Sequence, residues 1–220
     1  SSTAAVYKQS SKPLRETSEI KALSTYAKTK LICEKKIRNK KNINSIILRF
    51  FNVCSALKKP VIGEFHKPET HLIPTVVYKA IYNKKIYIYG NDFPTPDGTC
   101  IRDYIHIIDI CSAIEKSTKY LLKSNKSIVF NIGSHKGLSN NEIVNYVKKA
   151  INKKINLLYV SRRKGDVSRL ICNSNKIYQI LKWRAKSSNL KKIITNEILW
   201  IKKFTKQGLN RNFKNYLNKN

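Results

Sequence analysis

Short apolar runs alternate with amphipathic stretches along this chain. Ser1–Tyr7 reads as the end of a buried strand entering a turn, and 8–22, polar and interrupted by Pro13, reads as a loop. Ser24 is placed to cap a helix in which Tyr26, Lys30, Cys33, Glu34 and Ile37 follow at helical spacing, until Asn39–Asn44 breaks it. Ser45–Phe51, rich in β-branched and aromatic residues, predicts a strand buried on both faces. Turns are expected at Lys59-Pro60, Gly63 and Pro68, followed by a helix from Pro74 to near Asn83. Ile86–Tyr89 predicts a strand closed by Gly90-Asn91-Asp92, and 94–98 a turn-rich loop. Ile101–Ile105 is extended, Asp109 is expected to cap a helix to about Leu122, and Ile128–Ile132 is another strand. Ser139-Asn140-Asn141-Glu142 has the pattern of a capping box opening a helix to Ala150. A strand at Ile155–Val160 and helices at about 175–181 and 189–204 complete the order, with fraying expected after Gly208.

Strands alternating with helices of one to four turns indicate an α/β chain with a mainly parallel sheet. A doubly wound sheet of this kind normally opens with a strand, a glycine-rich turn and a helix that binds phosphate. The nearest glycine pair, Gly133-Ser134-His135-Lys136-Gly137, comes far too late and after the wrong elements. The chain also begins at Ser1 and contains no Met. The expectation is therefore a fragment: the C-terminal part of a doubly wound, Rossmann-like parallel sheet plus a smaller α/β substrate-binding lobe. Residues 1–52 would be what remains of the cofactor domain and 53–220 the lobe, with 128–133 a candidate to return to the main sheet.

Composition changes this picture little. The chain has 220 residues with 44 Lys+Arg against 13 Asp+Glu, a net charge of +31, and is 41% hydrophobic. That hydrophobic content excludes a disordered tail, and the chain is long enough to bury one sizeable core or two small ones. The excess of cations invites nucleic acid. Yet lysines run from Lys8 to Lys219 rather than forming one arm, and the densest clusters (Lys35 to Lys41, Lys148 to Lys154) fall at helix ends and turns. Solvated faces are the expectation, not a nucleic-acid surface. Five cysteines (Cys33, Cys54, Cys100, Cys111 and Cys172) make no C-x-x-C pair and are odd in number, which argues against a disulfide framework or zinc knuckle. No apolar run reaches the roughly 20 residues of a membrane span. No secretory leader is evident at Ser1–Tyr7 either, so a reducing cytoplasm is the expected location.

The candidate chemistry centres on Tyr26-Ala27-Lys28-Thr29-Lys30. Tyr and Lys at i and i+4 share one helix face, close enough for an ammonium to act on a phenol. A free phenol titrates near about pH 10, too high for a base at neutral pH, and a nearby cation favours the phenolate. Tyr-x-x-x-Lys also arises by chance in a lysine-rich chain, so its surroundings decide. Ser1-Ser2-Thr3-Ala4-Ala5-Val6-Tyr7 precedes it, and Leu48-Arg49-Phe50-Phe51-Asn52 follows it. Further on come Glu64-Phe65-His66 with Glu69-Thr70-His71-Leu72-Ile73-Pro74, Tyr89-Gly90-Asn91-Asp92, the block from Asp97 to His106, and Arg162-Arg163-Lys164-Gly165-Asp166. From Ser1 to about Phe204 the chain resembles the UDP-glucose 4-epimerase branch of the extended short-chain dehydrogenase/reductase family.

The resemblance implies NAD as cofactor and interconversion of UDP-glucose and UDP-galactose, by hydride abstraction and return at sugar C4 through a 4-keto intermediate. It implies Tyr26 as the base, and Lys30 as the lysine that holds the nicotinamide ribose and favours the phenolate. Thr3 would bond the reacting oxygen, and Phe51 would lie beside the nicotinamide. Thr3, Tyr26 and Lys30 thus serve both catalysis and cofactor. On the substrate side it implies Arg102 and Arg163 for the diphosphate, Asp166 for the ribose hydroxyls, and Asn52, His71, Leu72 and Tyr89 around the sugar-nucleotide. A planar, permanently charged guanidinium suits a diphosphate. His66 and His71 have the wrong spacing and lack Cys or Asp partners for a metal site, so none is expected, and His106 reads as structural. A homodimer is implied for the full-length enzyme.

There are departures. Lys8 stands where the family usually has Gly, which should strain that turn. Asn173 replaces a common Asp, and Leu170 occupies the position that sets room for an N-acetyl group. Without the glycine-rich segment, these residues alone are expected neither to hold NAD tightly nor to epimerise. The alternatives are an N-acetylglucosamine or uronate epimerase or a 4,6-dehydratase of the same family, or a non-catalytic basic remnant. A dehydratase needs an acid beside the Ser/Thr, and Ala4 and Ala5 offer none.

Overall fold

The computed structural model describes residues 1–66 and 68–206, the side chains of 205 and 206 apart. The expected fraying after Gly208 lies outside the described residues. Strand β1 (Ser2–Thr3) runs into a single 3₁₀ turn (Ala4–Val6). Helix α1 (Thr25–Arg38) follows, with Ser24 Oγ accepting from the Ala27 N–H at 3.1 Å as a Ser cap should. Strand β2 (Ile46–Phe50) lies between β1 and β6 (Ile128–Ile132), all parallel, which explains why its apolar residues do not alternate with polar ones. Segment 128–132 thus lies in the same sheet as β1 and β2.

After Phe50 the chain leaves this sheet and enters another. Strand β3 (Asn52–Cys54), not anticipated from its three residues, pairs in parallel with β5 (Ile101–His106). β5 also takes β7 (Gly137–Ser139) antiparallel and β9 (Arg169–Leu170) parallel. A parallel pair, β4 (Ile86–Tyr89) and β8 (Leu157–Val160), stands apart from both. Helix α2 (Leu72–Ile81) packs with α4 (Asn140–Ile151) and α6 (Leu190–Lys206) over a core of Ile73, Val76, Val77, Ile86, Ile143, Val147, Ile193 and Ile194. Helices α3 (Ile107–Ser124) and α5 (Asn175–Leu181) close a second core around Leu48, Ile110, Phe130, Ile132, Ile177 and Trp183.

Three local expectations are corrected. α2 begins two residues before Pro74, which sits in its first turn, where a missing N–H costs nothing. α3 is capped by His106, whose Nδ1 accepts from the Ile108 N–H at 3.1 Å. Asp109 instead reaches out of the helix to accept from the backbone of Lys186 and Ser187 and from Ser188 Oγ. Lys8 shows no strain: it is not among the residues with positive φ, its N–H bonds Glu19 O at 2.9 Å and its ammonium meets Glu19 at 2.7 Å. The capping box at Ser139 and Glu142 is present with both of its bonds.

Candidate functional site

Helix α1 is held by its buried side. Arg49 in β2 grips Glu34 through two hydrogen bonds, Nε to Oε1 at 2.9 Å and Nη2 to Oε2 at 2.6 Å, with both side chains buried. Ser2 Oγ also donates to Glu34. The remaining Arg49 nitrogen, Nη1, donates to Tyr7 Oη at 2.8 Å, and Tyr7 in turn donates to Asn131 Oδ1 at 2.7 Å. This network ties β1, α1, β2 and β6 into one unit. Burial pushes against the Glu34 charge, but the bonds from Arg49 and Ser2 outweigh it and hold the carboxyl below its usual range. Burial raises the Tyr7 phenol despite Arg49.

Tyr26 and Lys30 lie about two turns and one turn before Glu34 on α1, toward its N-terminus. Tyr26 is 56% exposed, and the Lys30 ammonium lies 5.8 Å from its ring centroid and donates to the Ser1 carbonyl at 3.3 Å. Thr3 pairs with Phe50 across β1 and β2, and its Oγ1 accepts from the Ala5 N–H at 3.2 Å, capping the 3₁₀ turn. Phe51 is a core residue, buried among Ala4, Val6, Tyr7, Leu14 and Cys172. Leu170 packs against that same cluster and stands beside Arg102 in the β5–β9 register.

A cleft of about 400 Å³ opens where β2 passes into β3, beyond the C-terminal ends of β1 and β2. Its lining includes Asn52, His71, Leu72, Tyr89, Arg102, Arg163 and Asp166, all seven residues expected around the sugar-nucleotide. Thr3, Tyr26, Lys30 and Phe51 are outside that lining, and the link to them is the chain itself: Asn52 is two residues beyond Phe50, the strand partner of Thr3. The Arg163 guanidinium lies 3.8 Å from the Tyr89 ring centroid, a stacked arrangement that fixes the cation. Gly165, with φ of +88°, turns the chain so that the Asp166 N–H bonds the Arg163 carbonyl at 3.2 Å and both side chains reach the cleft. Cleft position Lys79 was missed in the sequence, although Leu72, Thr75, Val76 and Lys79 follow an i, i+3, i+4, i+7 pattern on α2. Burial depresses the Lys79 ammonium. Lys79, Arg102 and Arg163, together with the His71 imidazole, face two carboxylates (Glu69 and Asp166) in this lining.

Most of the block from Asp97 to His106 builds rather than binds. Asp103, fully buried, accepts from Ser134 N and Oγ, His135 N and Cys172 N. Burial pushes its carboxyl up to about 6 even so. Gly133 in that turn is pressed on Cys172, where a Cβ would come within 2.3 Å of the cysteine side chain. Asp97 accepts from Thr99 and from Ser139 Oγ, and His106 faces Asn196 Nδ2 at 3.1 Å. Cys100, Arg102 and Tyr104 are the members of the block that line the cleft.

At the rim, His71 bonds Glu64 and Glu69, which together raise its imidazole to about 10. His66 bonds Glu64 as well, at 2.7 Å. Glutamates, rather than Cys or Asp, are thus the partners of these two histidines.

The chain is 39% identical over 205 residues to UDP-glucose 4-epimerase of Lacticaseibacillus casei, covering 91% of this chain and 62% of that protein. The structure superposes with a TM-score of 0.87 on UDP-glucose 4-epimerase from Stenotrophomonas maltophila with bound NAD and formylated UDP-arabinopyranose, at 27% identity over 93% of this chain and 63% of that one. It matches the Bifidobacterium longum enzyme in complex with NAD+ and UDP at a TM-score of 0.85, 27% identity, and 92% and 62% coverage. The chain therefore spans about three fifths of the length of the relatives it matches. The family model for GDP-mannose 4,6 dehydratase matches residues 1–196, and the chain belongs to that family.

Proposed function

We propose that this chain carries the UDP-sugar cleft and the proton-transfer residues of a UDP-glucose 4-epimerase. The observation that carries the reading is the convergence of Asn52, His71, Leu72, Tyr89, Arg102, Arg163 and Asp166 on one cleft from five separate parts of the sequence. Arg102 and Arg163 would neutralise the diphosphate, with Arg163 held in place by its stacking on Tyr89. Asp166 would accept from the ribose hydroxyls, and Asn52, Leu72 and Tyr89 would shape the slot. The hexose would then extend past Asn52 toward Thr3 and Tyr26. There Tyr26 would take the 4-hydroxyl proton and return it, Thr3 would bond the same oxygen, and Lys30 would stabilise negative charge on the phenol. NAD, when bound, supplies the hydride acceptor that no side chain provides. Tyr26, exposed, and Lys30 beside its ring suit the nicotinamide ribose.

The glycine-rich phosphate turn is not among these 220 residues. We therefore infer that they bind UDP-sugar but neither hold NAD tightly nor epimerise by themselves. The dehydratase reaction for which the family model is named is disfavoured, because the residue after Thr3 is Ala4. Calorimetric titration with UDP and UDP-glucose tests the proposal. Binding that persists at moderate salt and is lost on Arg163→Ala supports it. Steeply salt-dependent DNA binding without UDP-sugar binding would replace it with the basic-remnant reading.

A further inference from the structure

Glu64, His66 and His71 meet at the cleft rim, although His66 and His71 come from a loop and from the cap of α2. Glu64 Oε1 lies 2.7 Å from His66 Nε2 and 3.2 Å from His71 Nδ1. One donor atom from each of the three residues lies within 4.8 Å of the others, and the two imidazoles stand edge to face at 4.9 Å. Glu69 Oε1 is a second carboxylate oxygen 3.1 Å from His71 Nδ1. Two imidazoles and a carboxylate form a ligand set suited to a zinc-class ion, with a coordination position left over.

An independent feature points to the same spot. Glu197 in α6 is 2% exposed, its Oε1 has no hydrogen-bond partner among the described residues, and its charged neighbours are Glu64 and Glu69. Three residues further along α6, Trp200 Nε1 donates to the Glu64 carbonyl at 3.0 Å. Gly63 rests on the same indole so closely that a Cβ would come within 2.4 Å of it. The loop bearing Glu64 is thus docked on the α6 face that carries Glu197. Glu197 thus sits, without a bond of its own for Oε1, near two carboxylates that repel its charge, and a divalent cation at the cluster would offset that repulsion.

We propose that Glu64, His66 and His71 bind one divalent transition-metal ion, with Glu69 and Glu197 as supporting carboxylates. Metal–ligand bonds of about 2.0–2.2 Å would draw the donors together, pinning the 63–66 loop to the start of α2 and setting the shape of the rim. The test is calorimetric titration of the tag-free chain, carrying Cys33→Ser and Cys111→Ser to remove the exposed thiols, with Zn²⁺ near pH 7.5. One ion per chain is expected, with at least about tenfold weaker binding in His66→Ala and Glu64→Gln. His135→Asn, at an exposed histidine with φ of +65°, should leave the affinity unchanged. The Co²⁺ complex should show d–d bands without a thiolate charge-transfer band, and near-UV circular dichroism should show that each variant is folded. Wild-type affinity in both cluster variants, failure to saturate at one ion per chain, or a thiolate band would overturn the proposal and leave the cluster as ion pairs alone.

Discussion

The two parts of the candidate site are built differently. The cleft is assembled from side chains that meet one another: Arg163 stacks on Tyr89, Asp166 is turned beside Arg163 by Gly165, and Arg102 projects from a strand clamped through Asp103. The Tyr26–Lys30 pair has no such enclosure, and what anchors its helix is the buried Glu34–Arg49 pair, one turn beyond Lys30. A cleft can therefore be enclosed by side chains of this chain while the Tyr26–Lys30 pair stays open.

The largest effect should come from breaking the support behind α1. Arg49→Met leaves Glu34 buried without its bidentate partner and frees Tyr7 Oη as well. Removing one member of such a pair costs about 3–5 kcal/mol. Urea denaturation should show that loss. If α1 and the cleft are independently built, UDP affinity of the folded fraction should stay near wild type; a parallel collapse of affinity would show the two regions to be one.

Acid separates the regions by sign. Glu34 has a folded-state pKa below its unfolded value, so its contribution is present above the ordinary carboxylate range and lost as pH falls through the depressed value. Asp103 is opposite: its folded-state value of about 6 lies above the unfolded 3.8, so the folded state gains stability as pH falls between them. At about 1.4 kcal/mol per unit, the advantage of wild type over Asp103→Asn should be larger at pH 4 than at pH 7 by up to about 3 kcal/mol. Urea melts of both proteins across this range test it, and a flat difference would mean that Asp103 does not titrate there.

For the cleft itself, Arg163→Ala should weaken UDP binding by about 10- to 100-fold, corresponding to about 1.5–3 kcal/mol for a charge-assisted contact. Lys164→Ala, next in sequence and outside the cleft lining, should change it little. Equal losses in the two variants would mean that general positive charge, rather than the stacked guanidinium, holds the ligand.

The sequence revealed elements where local signals are strong. Ser24 and the Ser139–Glu142 box announce helices by their own hydrogen bonds, and the Ile-Ile-Leu run announces a central parallel strand. It concealed what depends on distant partners. β3, β7 and β9 are strands because β5 pairs with them, and His106 displaces Asp109 as a cap because Asp109 is drawn to the backbone of Lys186 and Ser187 and the Ser188 hydroxyl. The cleft residues were legible through the resemblance, since no spacing places Asn52, Tyr89 and Asp166 together. That resemblance could not separate builders from binders: Asp103 and Arg102 are adjacent, yet one is buried under four hydrogen bonds and the other faces the cleft. Lys79, by contrast, is legible locally, since it shares a face of α2 with Leu72, Thr75 and Val76.

The smallest expected effect is the most discriminating for the contrast between the two regions. Tyr26→Phe removes one hydroxyl from a ring that is more than half exposed, so stability should change by less than about 0.5 kcal/mol. Because Tyr26 lies outside the cleft lining, UDP affinity should match wild type as well. In a protein that also contains the glycine-rich phosphate segment, the same substitution should abolish most epimerisation while leaving UDP-sugar binding intact, since a phenyl ring can neither accept nor return the 4-hydroxyl proton. If UDP affinity in this chain fell along with Tyr26, the phenol would belong to the binding cleft, and the division between an enclosed cleft and an open Tyr26–Lys30 pair would have to be given up.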